Sequence, residues 1–214
     1  MRKMNFLNKL YAGIIVLCGM FAFSGCEAGL TYDEVPESYY SEVGVTDFRL
    51  HARELFENKI YAVNWGQWVE NYMDTRQISW EVTTTTESNS DAPGGTLYVL
   101  NVKANPRVTY QTSNKGYLFD GSKFSGDFEL VDPTDNRSQK VNLPVKQNEI
   151  IGEIYLVNQY TCVVERVDNA TELGKPGDFS KPQRYLVKNI CYRPAGVEQY
   201  TRLYEVRVTF AEKK

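Results

Sequence analysis

Apolar and polar residues alternate one by one through most of this 214-residue chain, and that period of two constrains its fold more than any other feature. Successive side chains of a strand point to opposite faces, so alternation marks a half-buried strand. Tyr204, Val206, Val208 and Phe210 share one face of such a run, and Glu205, Arg207 and Thr209 share the other. Phe48, Leu50 and Ala52 alternate with Asp47, Arg49 and Arg53, and Ile78, Trp80, Val82 and Thr84 alternate with Ser79, Glu81 and Thr83. Leu97 to Val102 is apolar on both faces, the pattern of a strand with neighbours on either side. Further strands are expected at Arg107–Thr112, Gly126–Val131, Gln139–Val145, Ile150–Val167, Gln183–Arg193 and Tyr200–Phe210.

Turn chemistry separates these runs. Glu87 to Gly95, Asn114-Lys115-Gly116, Asp120-Gly121 and Asp132 to Asn136 are rich in the Gly, Pro, Asn and Asp that reverse a chain. Asp168–Pro182 is the longest such stretch, with two Gly and two Pro, and loops of that length are often functional. A helical period is met only by Gln67 to Arg76, where Trp68, Tyr72 and Met73 stand at i, i+4 and i+5. Recurrent strands without intervening helices predict an all-β domain, a single antiparallel β-sandwich, with a calycin-like β-barrel as the alternative.

The start of the chain reads differently. Arg2, Lys3 and Lys9 precede a mostly apolar run from Leu10 to Phe23, and Phe23-Ser24-Gly25-Cys26 follows. Fourteen residues are too few to span a membrane, which needs about 20, and a basic start, short apolar run and small-residue site make a secretory signal. The expected organisation is a signal over residues 1–25, a tether over 26–44 and a β-domain over 45–214. Phe23-Ser24-Gly25-Cys26 resembles the lipobox of bacterial lipoproteins, and the acids Glu27, Asp33, Glu34 and Glu37 behind it resemble the acidic stretch of surface lipoproteins of bacteroidete-type bacteria. The resemblance implies that Cys26 carries the lipid, that the domain is held at the outer membrane on the cell surface, and that the partners are the membrane and a glycan or an outer-membrane protein. In these terms it looks like the small lipoproteins of glycan-uptake systems.

Charge excludes one partner class. Losing Arg2, Lys3 and Lys9 takes the 24 bases to 21 against 27 acids, a net charge of about −6. Nucleic-acid binding rests on clustered Lys and Arg, and no such cluster is present. Two cysteines remain once Cys18 leaves with the signal and Cys26 is lipidated. A hairpin centred near Pro176 has Cys162 14 residues before its centre and Cys191 15 after it, which places them nearly opposite and predicts a disulfide.

Chemistry-bearing motifs are few. His51 is the single histidine and alternates away from Phe48, Leu50 and Ala52, so it reads as a surface residue; the sequence offers no catalytic dyad, no metal-ligand set and no cofactor motif. Glu81, Asp120, Asp127, Glu149 and Glu153 can be paired on paper as glycosidase carboxylates, but among 27 acids that pairing carries no information. Aromatics are more telling. All three tryptophans, Trp65, Trp68 and Trp80, fall within sixteen residues. Trp80 belongs to an apolar strand face and is expected in the core. Trp65, between Asn64 and Gly66, together with Trp68, Tyr72, Asn64 and Gln67 forms the candidate glycan contact, since an indole stacks on the apolar face of a sugar while amides bond its hydroxyls. The reading is of a non-enzymatic accessory glycan-binding module; the alternative is a structural or protein-interaction lipoprotein that uses the Asp168–Pro182 loop or a strand edge. Cys26→Ala is expected to leave the precursor unprocessed or to move the protein out of the membrane fraction, and unchanged maturation and membrane association would contradict the lipid anchor.

Overall fold

A computed structural model describes residues 41–112, 116–131, 139–192, 194–196 and 200–212. The signal, Cys26, most of the tether and the Asp132–Asn136 turn lie outside the described residues. The domain is all-β. Its strands, in chain order, are β1 (Val45–Phe56), β2 (Ile60–Ala62), β3 (Gln67–Val69), β4 (Tyr72–Gln77), β5 (Trp80–Ser88), β6 (Thr96–Ala104), β7 (Arg107–Gln111), β8 (Tyr117–Phe119), β9 (Glu129–Leu130), β10 (Lys140–Pro144), β11 (Ile150–Leu156), β12 (Cys162–Val167), β13 (Pro176–Gly177), β14 (Gln183–Asn189) and β15 (Tyr200–Phe210).

They form four sheets, ordered β13-β11-β1-β4, β12-β14-β15-β6-β5, β7-β10-β9 and β3-β2-β8. None of the four closes on itself, so the barrel is not formed. Among the described residues every pairing is antiparallel except β15 with β6, which run parallel from Leu203↔Leu97 to Phe210↔Ala104. One core receives Phe48, Leu50 and Ala52 of β1 with Ile150 of β11, and, from the five-stranded sheet, Leu100, Val102, Tyr185, Val187, Tyr204 and Val206. These are the inward positions of each alternating run, as the sandwich requires.

The long Asp168–Pro182 loop is tied into this core. Phe179 is 1 % exposed and packs 6.2 Å from Phe48, ring to ring. Its seat exists because residue 152 of β11 is glycine: a Cβ there would lie 2.6 Å from Cζ of Phe179 and 3.0 Å from Cζ of Phe48. The Thr171 N–H donates to Oε1 of Gln183 at 2.8 Å, and the Tyr185 hydroxyl donates to the Thr171 carbonyl at 2.8 Å.

Three expectations are corrected. Gln67–Arg76 is not a helix. It is β3, a Glu70-Asn71 turn with Asn71 in the left-handed region (φ 59°), and β4, whose Tyr72, Asp74 and Arg76 alternate inward. The spacing of Trp68 and Tyr72 is a coincidence of two strands either side of that turn. The Cys162–Cys191 disulfide is not formed; both cysteines are free. Cys162 lies opposite Asn189, not residue 191, and the Asn189 side chain accepts the N–H groups of Cys191 (3.0 Å) and Tyr192 (2.8 Å), turning the chain out of the sheet before a bridge can form. Buried Cys162 instead donates to the Glu42 carbonyl at 3.4 Å, while Cys191 is exposed. The expected Ile150–Val167 strand also divides into β11 and β12, because the carbonyl and side chain of buried Asn158 capture the N–H groups of Cys162, Tyr160 and Thr161.

Gly152→Ala is expected to cost about 1–3 kcal/mol through overpacking against two buried rings, lowering Tm by about 2–12 °C in a thermal melt. Thiol alkylation of the native protein without reductant should modify Cys191 readily and Cys162 only on unfolding; a mass lower by two hydrogens, with neither cysteine modified, would restore the disulfide.

Candidate functional site

The tryptophan region is built on the short β3-β2-β8 sheet. β2 and β3 form a hairpin whose loop, Val63–Gly66, is closed by two N–H groups, those of Trp65 (3.1 Å) and Gly66 (2.9 Å), donating to the Ala62 carbonyl. Gly66 closes it in the left-handed region (φ 61°), which an L side chain adopts only with strain. The Val63 N–H donates to the Gly116 carbonyl at 2.8 Å and holds the loop against the start of β8. The hairpin therefore presents its tip from a fixed base.

Register decides which side each ring takes. Tyr61, Trp68 and Leu118 are directly opposed and share one face; Ala62, Gln67 and Tyr117 share the other. Trp68 is 37 % exposed and meets Tyr61 edge to face at 5.2 Å, with the Lys123 ammonium 5.8 Å from its ring. Lys123 is set there by the turn Gly121–Lys123, capped by Asp120, whose Oδ1 accepts from the Ser122 N–H at 2.8 Å and its hydroxyl at 2.6 Å. Those bonds, the hydroxyl first, hold the Asp120 carboxyl below the usual carboxylate range. Trp65, at the loop, is 68 % exposed and meets Tyr117 of the other face edge-on at 6.3 Å.

Of the residues singled out in sequence, Trp65, Asn64 and Gln67 come together, all exposed, at the hairpin. Trp68 is exposed beside them on the opposite sheet face. Tyr72 is apart: it lies in β4, half-buried beneath Tyr117 at 5.4 Å, and its hydroxyl donates to the Gln111 carbonyl at 3.2 Å. Trp80 is half-buried against the core. Tyr117 and Lys123 complete the cluster, and sequence reading did not find them: β8 is three residues long, too short for a period to show. His51 sits on the outward face of β1, half-buried, with Nδ1 buried and unpartnered. Among the described residues, no group of three or more His, Cys, Asp or Glu has metal-binding geometry.

What this arrangement offers is a contact surface: two indoles, edged by amides and one ammonium. No protein-family model and no curated protein matches the chain. A solved structure, that of a candidate secreted protein from Bacteroides fragilis, resembles it over 81 % of this chain and 99 % of that one, at 14 % sequence identity and a TM-score of 0.41.

Proposed function

We propose that this chain is a lipid-anchored, non-enzymatic β-domain of a bacterial outer membrane, displayed at the cell surface, that binds glycans through the Trp65 hairpin. The observation that carries the reading is the exposure of Trp65 and Trp68 on a base fixed by hydrogen bonds. Trp65 and Trp68, 68 % and 37 % exposed within one hairpin, are apolar ring surface of the kind that a sugar's C–H face would cover.

A protein-interaction role is the second reading, and one observation favours it: among the described residues β5 and β12 are the edge strands of the five-stranded sheet, and an edge strand can pair with another chain. The Asp168–Pro182 loop supports it less, since its Phe179 belongs to the core.

Affinity electrophoresis of the full chain through gels containing soluble polysaccharides tests the glycan reading. Trp65→Ala should weaken retardation about three- to tenfold, the loss of one stacked ring, with Tm unchanged. Retardation equal to the parent protein in both Trp65→Ala and Trp68→Ala would refute it.

A further inference from the structure

A concave surface lies where the strands of the five-stranded sheet end. β6 and β15 run parallel and finish together at Ala104 and Phe210, opposite the first residue of β5, Trp80. Facing them across an open cleft of about 1210 Å³ are Arg107 at the start of β7 and the segment Asp127-Phe128-Glu129. The cleft exceeds the roughly 300–1,000 Å³ of a compact small-molecule pocket and is open, so it suits an extended ligand.

From the lining residues we infer that this cleft is a second, independent binding site for a neutral oligosaccharide. Trp80, Phe128 and Phe210 supply apolar ring surface for the C–H face of a sugar. Phe128 is held in place by Phe119 at 5.1 Å and Phe124 at 6.0 Å, and Arg107 by its N–H bond to Oδ1 of Asn105 at 2.9 Å, so the wall is formed before any ligand arrives. Arg107 and Asp127 form an ion pair whose Asp127 carboxylate is largely exposed, and Glu129 accepts from Asn142 at 3.4 Å while remaining exposed. Planar carboxylate and guanidinium groups bond adjacent hydroxyls in pairs. The lining carries four carboxylates, Glu81, Asp127, Glu129 and Glu212, against Lys103 and the already paired Arg107, so an anionic ligand meets a net negative charge. This site shares only its ligand class with the Trp65 hairpin.

The three tryptophans make the two sites separable by fluorescence. The full chain, in a detergent without a sugar headgroup, is prepared as Trp65→Phe/Trp68→Phe, which reports Trp80 alone, and as Trp80→Phe, which reports the hairpin alone. Both are titrated with maltohexaose, cellohexaose, xylohexaose and mannohexaose, and with hexalysine. A saturable change in the Trp80-only protein with at least one of the sugars, weakened about tenfold by Arg107→Ala/Asp127→Ala, supports the cleft. That double change removes both partners of the pair and leaves no orphan charge, and an unchanged Tm shows that the domain is intact. A response confined to the Trp80→Phe protein overturns the cleft and leaves the hairpin reading standing; a response confined to the Trp80-only protein does the reverse. A Trp80 response to hexalysine alone, or one unaffected by the double change, also overturns the proposal. Silence from both proteins with every sugar sinks both sites.

Discussion

The parallel ladder between β6 and β15 is the contact on which the rest of the domain depends. It lays the last strand of the domain against the middle of the five-stranded sheet, with β14 on its other side and β5 beyond β6. One face of the ladder is packed against the main core along its length, and the other is buried over its first half. Leu100, Val102, Val206 and Val208 look into the main core, while Leu97, Val99 and Leu203 meet Ala92 in a smaller apolar cluster on the other side. Parallel strands generally need cover on both faces, and the Pro93–Gly95 turn region supplies part of it here. The same face carries a charge lock. Glu205, 4 % exposed, accepts from Arg184 at 2.8 Å and from Arg207 at 2.7 Å, and Arg207 grips Glu87 with two further bonds of 2.7 and 3.0 Å. Burial by itself would raise the Glu205 carboxyl, but the two guanidiniums outweigh it and hold it below the usual range. Three strands are thus joined across the ladder by side chains as well as by backbone.

That rigid middle explains where ligand-facing surface can lie. Strand ends and hairpin tips are left over once the alternating faces are buried, and the aromatic residues that did not enter the core collect there. The hairpin has Trp65 and Trp68 on opposite sides of a three-stranded ribbon, so it offers two separate ring surfaces and no single flat platform. The cleft offers the complementary shape, a trough with ring surface below and paired charges at the rim.

Much of this was legible from residue order alone. Tyr200–Phe210 is a strand from its first alternating residue to its last, and Leu97–Val102, apolar on both faces, does lie between two neighbours. Trp65 stands in water, as its neighbours Asn64 and Gly66 suggested, because a left-handed glycine closes the loop there. What stayed hidden has physical causes. Alternation has no direction, so it cannot distinguish the parallel pairing of β15 from an antiparallel one. Three-residue strands such as β2 and β8 contain too little of a period to register, and with them went Tyr117. Two asparagines, Asn158 and Asn189, redirect the chain through their own side chains, splitting one expected strand and carrying Cys191 away from Cys162. A left-handed Asn71 likewise turned an apparent helical spacing into two strands.

The central claim is that the exposed hairpin indoles are a glycan contact, and the indole region of a proton–nitrogen correlation spectrum reads it directly. Three side-chain N–H resonances are expected, one for each of the three tryptophans, and single substitutions assign them. With a bound oligosaccharide, the Trp65 resonance should move saturably, the Trp68 resonance with it or independently. A Trp65 resonance that stays fixed with every oligosaccharide, including any bound elsewhere on the domain, would contradict the account.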